Sequence, residues 1–554
     1  MTALAPIDRR LRVLLVVFLG LLAFGVLRAT ELGTVKAASL RRAAASEQVS
    51  IRTVPAPRGT IVDRNGVELA LSESADDVVV DPYLIRHPQT VADRLAPLLQ
   101  APVPKLMSEL TKPHTGFVYL AHQLVAQRAQ AIMNLRINGL SLVPDVKRVY
   151  PRGTMAGQVI GTVGWGDKGL SGLEYLYNRA LRGTNGLRKT VDDAIGQPIS
   201  IDDLRPTRAG QSIRLTLDSA LQNEVERVLA GVAAQYHPKG ATAIVMNPNT
   251  SQILALANWP RLNPNNLGSA SQQAFDDLGV GLDYEPGSTF KAITIGAALE
   301  DHLITPATKF NIPPVLNYAG RQIHDAEAHG FEKLTVAQIL KYSSNIGAVE
   351  IGSKLGPRRF DAWVRRFGFG TRTGVDLPGE EQGIVRHWWQ YSGSSMANLP
   401  FGQGESVTPM QMLAAYAAIA NGGVLRTPQI VESVGGKRLR EAQGHRILSP
   451  GVARQLRVML RGVFADGGTA SGAAIPGYDM AGKTGTANIA VNGHYSNSEY
   501  IASFVGMVPV NHPRLLALVV VDQPHGGIFG GSVAAPAFQQ MIGWAAPYFG
   551  VSPR

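Results

Sequence analysis

The heptapeptide Glu285-Pro286-Gly287-Ser288-Thr289-Phe290-Lys291 is the stretch around which the chain is organised. Ser288 and Lys291 stand three residues apart, and the apolar run that follows predicts a buried helix carrying both side chains on one face of its first turn. A Pro-Gly pair turns sharply into that helix, so Ser288 is expected at its N-terminus, where unpaired backbone N–H groups favour negative charge. The pattern suits a serine nucleophile beside a lysine. It also suits a helix cap beside a solvent-directed lysine, and the stretch alone leaves both interpretations open.

The composition is that of a folded protein with several domains. The chain has 554 residues, of which 45% are apolar and 17% charged, and its net charge is +11. That charge is compatible with nucleic acid, anionic lipid or a polyanionic polymer. No basic helix is interleaved with aromatic residues and no zinc-knuckle pattern occurs, so we expect no nucleic-acid partner.

Catalysis is expected to need neither a cofactor nor a metal. The absence of cysteine excludes thiol catalysis, cysteine-ligated metals and disulfides. His324 and His329 flank a short acidic segment, but their spacing is not that of a recognised metal site. We interpret both histidines as loop residues.

The N-terminus predicts a single membrane anchor. The apolar run 13–27 follows several arginines, and its flanks extend it to Leu32 if Arg12 and Arg28 snorkel towards the lipid headgroups. Positive charge before the run predicts a cytoplasmic tail at 1–12, an anchor at 13–32 and an exported remainder. A cleaved signal peptide fits the same pattern and stays open as the alternative.

Beyond the anchor, two domains are expected. Strand and loop patterns continue to Pro206 and Gly210, which predicts a non-catalytic domain at 33–210 and a second domain at 211–554. The second domain has predicted strands near both ends, helices between them and a C-terminal helix. This order predicts an α+β fold in which helices cover a sheet.

Two further short motifs follow the first. Ser343-Ser344-Asn345 comes after a predicted helix, and Lys483-Thr484-Gly485-Thr486 lies in a predicted strand. In that strand Lys483 and Gly485 share one face. The ordered set Ser-x-x-Lys, Ser-x-Asn and Lys-Thr-Gly resembles the signature of the penicillin-binding and serine β-lactamase superfamily. The resemblance implies a transpeptidase-type domain with an antiparallel sheet and helices.

The chemistry explains the first two motifs. A lysine can take the proton of a serine only if burial and a neighbouring cation depress its pKa, and Lys291 on an apolar helix with Lys483 nearby meets that need. Ser343 is expected to pass a proton to the leaving amine, and Asn345 to hold Lys291 or a substrate amide. Taken singly, a serine such as Ser343 is more often a helix cap, and a lysine such as Lys483 is more often a solvated strand residue.

The resemblance also implies roles for the residues of the third motif. Gly485 is expected to let a peptide lie along the strand and extend the sheet. The backbone N–H groups of Ser288 and Thr486 are implied as the oxyanion hole. Lys483, Thr484 and Thr486 are expected to meet the terminal carboxylate of the donor peptide.

Motifs before residue 210 indicate which branch of the superfamily the chain resembles. Arg58–Gly66, Arg148–Pro151 and Gly172–Glu174 resemble structural motifs in the elongated N-terminal pedestal of class B, monofunctional penicillin-binding proteins. Only about thirty residues separate Leu27 from Arg58, too few for the glycosyltransferase domain of the class A enzymes. Ser343-Ser344-Asn345-Ile346-Gly347 resembles the division-specific branch. Phe401-Gly402-Gln403-Gly404 departs from it, because relatives often carry an aromatic residue between the glycines.

The resemblance implies a membrane-anchored D,D-transpeptidase of the bacterial plasma membrane that cross-links septal peptidoglycan. A D-Ala-D-Ala donor would acylate Ser288, an amine of a neighbouring stem peptide would accept the acyl group, and β-lactams would acylate the same serine. Implied partners are a SEDS-type glycosyltransferase and other divisome membrane proteins. The alternatives are an elongation-type transpeptidase, a D,D-carboxypeptidase or β-lactamase-like hydrolase, and a non-catalytic penicillin-binding sensor or scaffold.

Overall fold

The computed structural model describes residues 5–38, 49–192, 198–441, 443–491 and 494–553. The chain forms two compact units, each built from several segments. The smaller unit comprises Met1–Pro57, Ser74–Val146 and Gly183–Ala209. The larger unit comprises Arg58–Glu73, Lys147–Arg182 and Gly210–Arg554. The domain boundary expected at residue 210 stays a prediction.

Both helices and strands occur in the described chain. The α-helices are α1 Ala5–Thr30, α2 Pro88–Leu99, α3 Val103–Leu110, α4 Ala126–Met133, α5 Gly157–Ile160, α6 Gly172–Leu176, α7 Asn178–Leu181, α8 Ser219–Tyr236, α9 Leu278–Gly281, α10 Lys291–Glu300, α11 Val336–Tyr342, α12 Asn345–Arg366, α13 Pro409–Ala420, α14 Pro450–Arg461 and α15 Gly530–Tyr548. The strands are β1 Val49–Val54, β2 Ile61–Val62, β3 Glu68–Val80, β4 Val118–Val125, β5 Leu140–Val149, β6 Val163–Gly164, β7 Lys168–Gly169, β8 Gly186–Asp192, β9 Pro198–Arg205, β10 Ile213–Leu215, β11 Gly240–Asn247, β12 Gln252–Trp259, β13 Lys309–Ile312, β14 Leu316–Tyr318, β15 Arg321–Ile323, β16 Glu332–Thr335, β17 Val424–Leu425, β18 Val431–Val434, β19 Lys437–Arg438, β20 His445–Arg446, β21 Ala481–Val491, β22 His494–Val508 and β23 Leu515–Asp522. The mixture confirms the predicted α+β class.

Helix α1 continues into a π-helical turn, Glu31–Val35. Within the 25 residues Leu11–Val35, an 18-residue window reaches a mean hydropathy of 2.4, and none of that window is buried against protein. Twenty or more apolar residues in a helix match the hydrocarbon thickness of a bilayer. The predicted anchor at 13–32 lies inside this stretch, and its length and composition are those of one membrane span.

The smaller unit contains two sheet regions. Strands β1, β8 and β9 pair antiparallel in that order. Residues 75–80 of β3 pair antiparallel with β4, and α2, α3 and α4 supply apolar side chains to a common core. Leu95 of α2 and Ile132 of α4 are fully buried in that core, so the unit has its own hydrophobic centre.

A five-stranded antiparallel sheet forms the centre of the larger unit, in the order β12-β11-β23-β22-β21. Side chains of β23 alternate between two apolar clusters. Ala517 and Val519 contribute to the cluster that includes α8 and α15, whereas Leu518 and Val520 contribute to the one that includes α10, α12 and α13. Both faces of the sheet are therefore covered, which explains why β23 is almost continuously apolar.

A buried ionic cluster in the larger unit joins the three motifs that precede residue 210. The Arg58 guanidinium donates from Nε to Glu174 Oε2 at 2.5 Å and from Nη2 to the Glu174 carbonyl at 2.7 Å. Arg148 Nε donates to Glu174 Oε1 at 2.7 Å, and Asn178 Oδ1 accepts from Arg58 at 2.9 Å. The side chains of Arg58 and Glu174 have no solvent exposure, so their charges are compensated inside the cluster: by each other, by Arg148 for Glu174, and by Asp167 at 3.7 Å for Arg58.

Candidate active site

Ser288 lies in a 3₁₀ turn, Gly287–Phe290, that leads directly into α10. The helix thus begins at Lys291, one turn later than the sequence indicates. Gly287 has a φ of +56°, and a Cβ there would stand 2.6 Å from the Thr486 carbonyl oxygen. Glycine is required at this point because it adopts positive φ and lets the turn contact the strand closely. Ser288 is half-buried beside it.

The Lys291 ammonium group lies at the centre of the site, although the residue is fully buried. Its Nζ donates to Ser288 Oγ at 3.0 Å and to Asn345 Oδ1 at 2.7 Å. It also donates to Ser343 Oγ at 3.1 Å and to the Ser343 carbonyl. The first two motifs therefore meet at one nitrogen atom.

The second motif spans the junction between two helices. Ser343 ends α11 in the left-handed conformation, with a φ of +62°, which is uncommon for a residue with a side chain. Ser344 caps α12 by accepting a hydrogen bond from Gly347 N at 3.0 Å. Asn345 Nδ2 donates to the His324 carbonyl at 2.9 Å. The sharp junction directs the side chains of Ser343 and Asn345 to the same lysine.

The third motif lies on β21, the outermost strand of the central sheet. Lys483 is fully buried, and its Nζ donates to Ser343 Oγ at 2.9 Å. It also donates to the carbonyl and hydroxyl oxygens of Thr484 at 3.2 and 3.3 Å. The two lysines thus share one serine hydroxyl as their acceptor.

Gly485 is enclosed by protein on the side where a side chain would point. A Cβ at this position would stand 2.2 Å from Ser503 Oγ and 2.9 Å from the Pro286 carbonyl oxygen. The absence of a side chain therefore also lets β21 pack against the turn that carries Ser288. Ser503 lies opposite Gly485 on β22.

Both threonine hydroxyls of the third motif already have partners in the protein. Thr484 Oγ1 donates to Thr469 Oγ1 at 2.9 Å, and Thr486 Oγ1 accepts from Gly530 N at 3.1 Å. These bonds hold β21 to the segment before it and to the start of α15. Contact of either threonine with a substrate stays a prediction.

Burial controls the protonation of both lysines. Desolvation lowers the pKa of Lys291 to about 7, although the negative charge of Asp325 opposes the shift. Desolvation, and then the charge of Lys291, holds the pKa of Lys483 well below its usual range. Two ammonium groups on one hydroxyl repel each other, so the pair does not hold its full number of protons at neutral pH.

Asp325 is a residue of the site that the sequence did not reveal. Its Oδ1 accepts from Asn345 N at 2.5 Å and from Ile346 N at 3.0 Å, and its Oδ2 lies 3.1 Å from His329 Nε2. The carboxylate binds the N-terminus of α12, where negative charge is favoured. No motif spacing relates it to Asn345, twenty residues later, so only the folded chain brings it there.

The two histidines that we interpreted as loop residues lie beside this aspartate. His324 contributes its carbonyl to Asn345, and His329 contributes a ring nitrogen to Asp325. Among the described residues, no group of three or more metal-ligating side chains comes together.

Family models match most of the chain. Residues 53–215 match the model described as the penicillin-binding protein dimerisation domain, and residues 241–543 match the penicillin-binding protein transpeptidase domain. Stage V sporulation protein D of Bacillus subtilis is 34% identical over 98% of this chain and 87% of its own length. Peptidoglycan D,D-transpeptidase FtsI of Escherichia coli is 31% identical over 91% of this chain and 85% of its own.

Solved structures show the same fold. Penicillin-binding protein 3 of Mycobacterium tuberculosis, in complex with aztreonam, superposes with a TM-score of 0.71 and is 29% identical. The match covers 91% of this chain and 98% of that one. It therefore includes both regions matched by the family models.

Proposed function

Because the chain belongs to the class B penicillin-binding proteins, we propose that its transpeptidase domain uses Ser288 as the nucleophile and Lys291 as the base in a peptidoglycan D,D-transpeptidase reaction. The observation that carries the proposal is the 3.0 Å hydrogen bond between Lys291 Nζ and Ser288 Oγ. The amine is buried and its pKa is lowered to about 7, so a large share of it is neutral at physiological pH. A neutral amine at that distance can take the hydroxyl proton.

Acylation begins when Lys291 removes the Ser288 proton and Oγ attacks the carbonyl carbon of the penultimate D-alanine. The Oγ–C bond forms, and the peptide bond to the terminal D-alanine breaks. Ser343 Oγ, which both lysines contact, passes a proton to the leaving amine. In the second step, an amine of a neighbouring stem peptide attacks the acyl carbon, and the proton returns to Ser288.

The donor peptide lies along the edge strand β21, whose outer position leaves backbone groups able to pair with an added strand. The N–H groups of Ser288 and Thr486 stabilise the oxyanion. Close contact between the Gly287 turn and the Thr486 backbone supports this role. The terminal carboxylate is bound by Lys483 with Thr484 and Thr486, whose own hydrogen bonds keep the strand in place.

Labelling with a fluorescent penicillin tests the nucleophile. The wild-type protein becomes covalently labelled, and Ser288→Ala does not. Ser269→Ala, an exposed serine outside the site, labels like wild type and controls for nonspecific reaction. Labelling of Ser288→Ala at the wild-type rate contradicts the assignment. An acyl-penicillin that persists for hours supports a transpeptidase, whereas clearance within seconds favours the hydrolase alternative.

The cellular role proposed is septal synthesis with a SEDS-type glycosyltransferase and other divisome membrane proteins. The resemblance of Ser343–Gly347 to the division branch and the similarity to the Escherichia coli protein FtsI support it. Helix α1 is proposed to anchor the chain with its N-terminus in the cytoplasm and the catalytic domain outside. A fluorescent fusion is expected at midcell, and a uniform side-wall signal would instead favour the elongation role.

A further inference from the structure

A cavity of about 330 Å³ lies next to the first and second motifs in the larger unit. Its size is at the lower end of the range for small-ligand sites. Most of its lining is polar, and two of its residues are arginines. The lining residues that matter here are Arg321, Arg386, Asn398, Gly404 and Tyr495.

Parts of the cavity wall are connected by hydrogen bonds or by the chain to segments that contact catalytic residues. Gly404 N and the Tyr495 hydroxyl both donate to Glu285 Oε1, at 3.0 and 3.2 Å, and Glu285 stands three residues before Ser288. Arg321 is the first residue of β15. The residue after that strand, His324, accepts a hydrogen bond from Asn345 Nδ2 through its backbone carbonyl. An occupant of the cavity would therefore contact residues that are bonded to the first motif or adjoin a partner of the second motif.

The charges of Arg321 and Arg386 are available to a ligand. Both side chains are exposed, and in the part of the chain that the structure describes neither forms an ion pair with a carboxylate. Nearby Arg365, by contrast, is paired with Asp361 at 2.8 Å. With its amide oxygen turned towards Arg321, Asn398 accepts from Nη1 at 3.1 Å, which leaves the other guanidinium donors free. A guanidinium presents paired donors that fit a carboxylate.

The carboxyl group that Gly404 and Tyr495 bind has a second oxygen that needs a donor. Glu285 Oε2 is buried and has no hydrogen-bond partner among the described residues. Burial raises the pKa of this carboxyl group. The lining of the cavity thus offers two cations, and the carboxyl group bonded to two other lining residues has an oxygen without a donor.

We propose that Arg321 and Arg386 bind a carboxylate that neighbours the attacking amine of the acceptor peptide. The acceptor is then a zwitterionic amino-acid group and not a plain amine. This inference rests on the proposed function, because only a transpeptidase needs an acceptor. In the step it serves, the acceptor nitrogen bonds to the acyl carbon, the ester bond to Ser288 Oγ breaks, and the nitrogen's proton returns to Oγ through the lysines.

The test measures how the acyl-enzyme is partitioned between acceptors. The full-length protein in detergent is given a D-alanyl thioester donor with either D-alanine or D-alaninamide, and the aminolysis and hydrolysis products are quantified. We expect wild type to favour the carboxylate-bearing acceptor by about tenfold, the scale of one charge-assisted hydrogen bond. In Arg321→Gln/Arg386→Gln that preference is lost, while the rate of penicillin acylation is unchanged.

Control variants make the result specific. Arg454→Gln removes an exposed arginine of α14 that does not line the cavity, and it is expected to keep the preference. A preference that persists in the double glutamine variant, or is absent in wild type, overturns the inference. So does an equal loss with both acceptors. Loss of penicillin labelling or of thioester consumption would instead count against the proposed function.

A binding measurement gives a result even if turnover is slow. Ligand-observed NMR on the penicillin-acylated protein compares the affinity of D-alanine with that of D-alaninamide. We expect tighter binding of D-alanine to the wild type and equal binding of the two in the double variant. Equal binding to the wild type contradicts the proposed carboxylate site.

Discussion

Lys291 and Lys483 donate hydrogen bonds to the same atom, Ser343 Oγ, at 3.1 and 2.9 Å. Both lysines are fully buried, one on α10 and the other on β21. Their shared acceptor, the Ser343 hydroxyl, links the two elements. A proton leaving Ser288 for Lys291 is therefore one hydroxyl away from Lys483, which gives the site a short route for proton transfer.

Removing this hydroxyl should slow acylation strongly. In Ser343→Ala the route between the lysines is interrupted, and we expect the rate of penicillin acylation to fall by about 10² to 10⁴, the range for loss of one proton-transfer group. Stopped-flow or gel-based labelling measures the rate. Ser344→Ala is the matched control, because it removes only the cap of α12: it should cost about 1 kcal/mol of stability and leave acylation intact. Equal rates in the two variants would contradict the role of Ser343.

The acylation rate should depend on pH with an apparent pKa near 7. Burial lowers the pKa of Lys291 to about 7, so its neutral, basic form is lost as the pH falls through that value. An ordinary lysine would be under about 0.1% neutral at pH 7. We expect the rate constant for penicillin acylation to rise from pH 5.5 to 8 and then level off. A profile that keeps rising towards pH 10 would show that Lys291 has an ordinary pKa.

Asp325 should affect both the pKa and the geometry of the site, and two substitutions separate these effects. Its charge raises the pKa of Lys291, so Asp325→Asn and Asp325→Ala should both shift the acidic limb of the pH profile to lower pH. Only the alanine variant lacks an acceptor for Asn345 N. Its maximal rate of penicillin acylation should therefore fall by about tenfold, the effect of losing one hydrogen bond, whereas that of the asparagine variant should not. Identical profiles for wild type and Asp325→Asn would rule out the electrostatic effect.

A side chain at position 485 should disrupt the site by crowding. In Gly485→Ala the new Cβ would stand 2.2 Å from Ser503 Oγ, so β21 or the Ser288 turn must shift, at a cost of about 1–3 kcal/mol. We expect a lower Tm and slower acylation. Ser503→Ala removes the nearest clashing atom, and the double variant should recover part of both losses. No recovery would place the main conflict at the Pro286 carbonyl, 2.9 Å away.

Breaking the ionic cluster around Glu174 should destabilise the larger unit strongly. Glu174→Gln removes the carboxylate that faces both Arg58 and Arg148 and leaves Arg58 only Asp167, at 3.7 Å, which should cost about 3–5 kcal/mol. Arg188→Gln breaks an exposed ion pair with Asp203 and should cost at most about 1 kcal/mol. Thermal unfolding followed by circular dichroism compares the two. A smaller shift for Glu174→Gln than for Arg188→Gln would contradict the importance of the cluster.

The sequence by itself determined the class of fold, the N-terminal apolar helix and the family. These features depend on local patterns: an apolar run of membrane length, strands and helices of distinct periodicity, and three short motifs in a fixed order. The comparisons confirm the class B assignment. The helix that carries the first motif, α10, was predicted to start one turn too early. Gly287 adopts a positive φ there, and a 3₁₀ turn precedes the helix.

The tertiary structure alone decided which groups surround each motif. Asp325 accepts hydrogen bonds at the start of α12, and Ser503 fills the space beside Gly485. Thr469 accepts a hydrogen bond from the hydroxyl of Thr484. Arg58 and Glu174 meet across 116 positions of sequence. Such partners are set by how helices and strands pack, and no spacing along the chain encodes them. The low pKa of Lys291 was likewise decided by the tertiary structure, because it results from burial in the folded core.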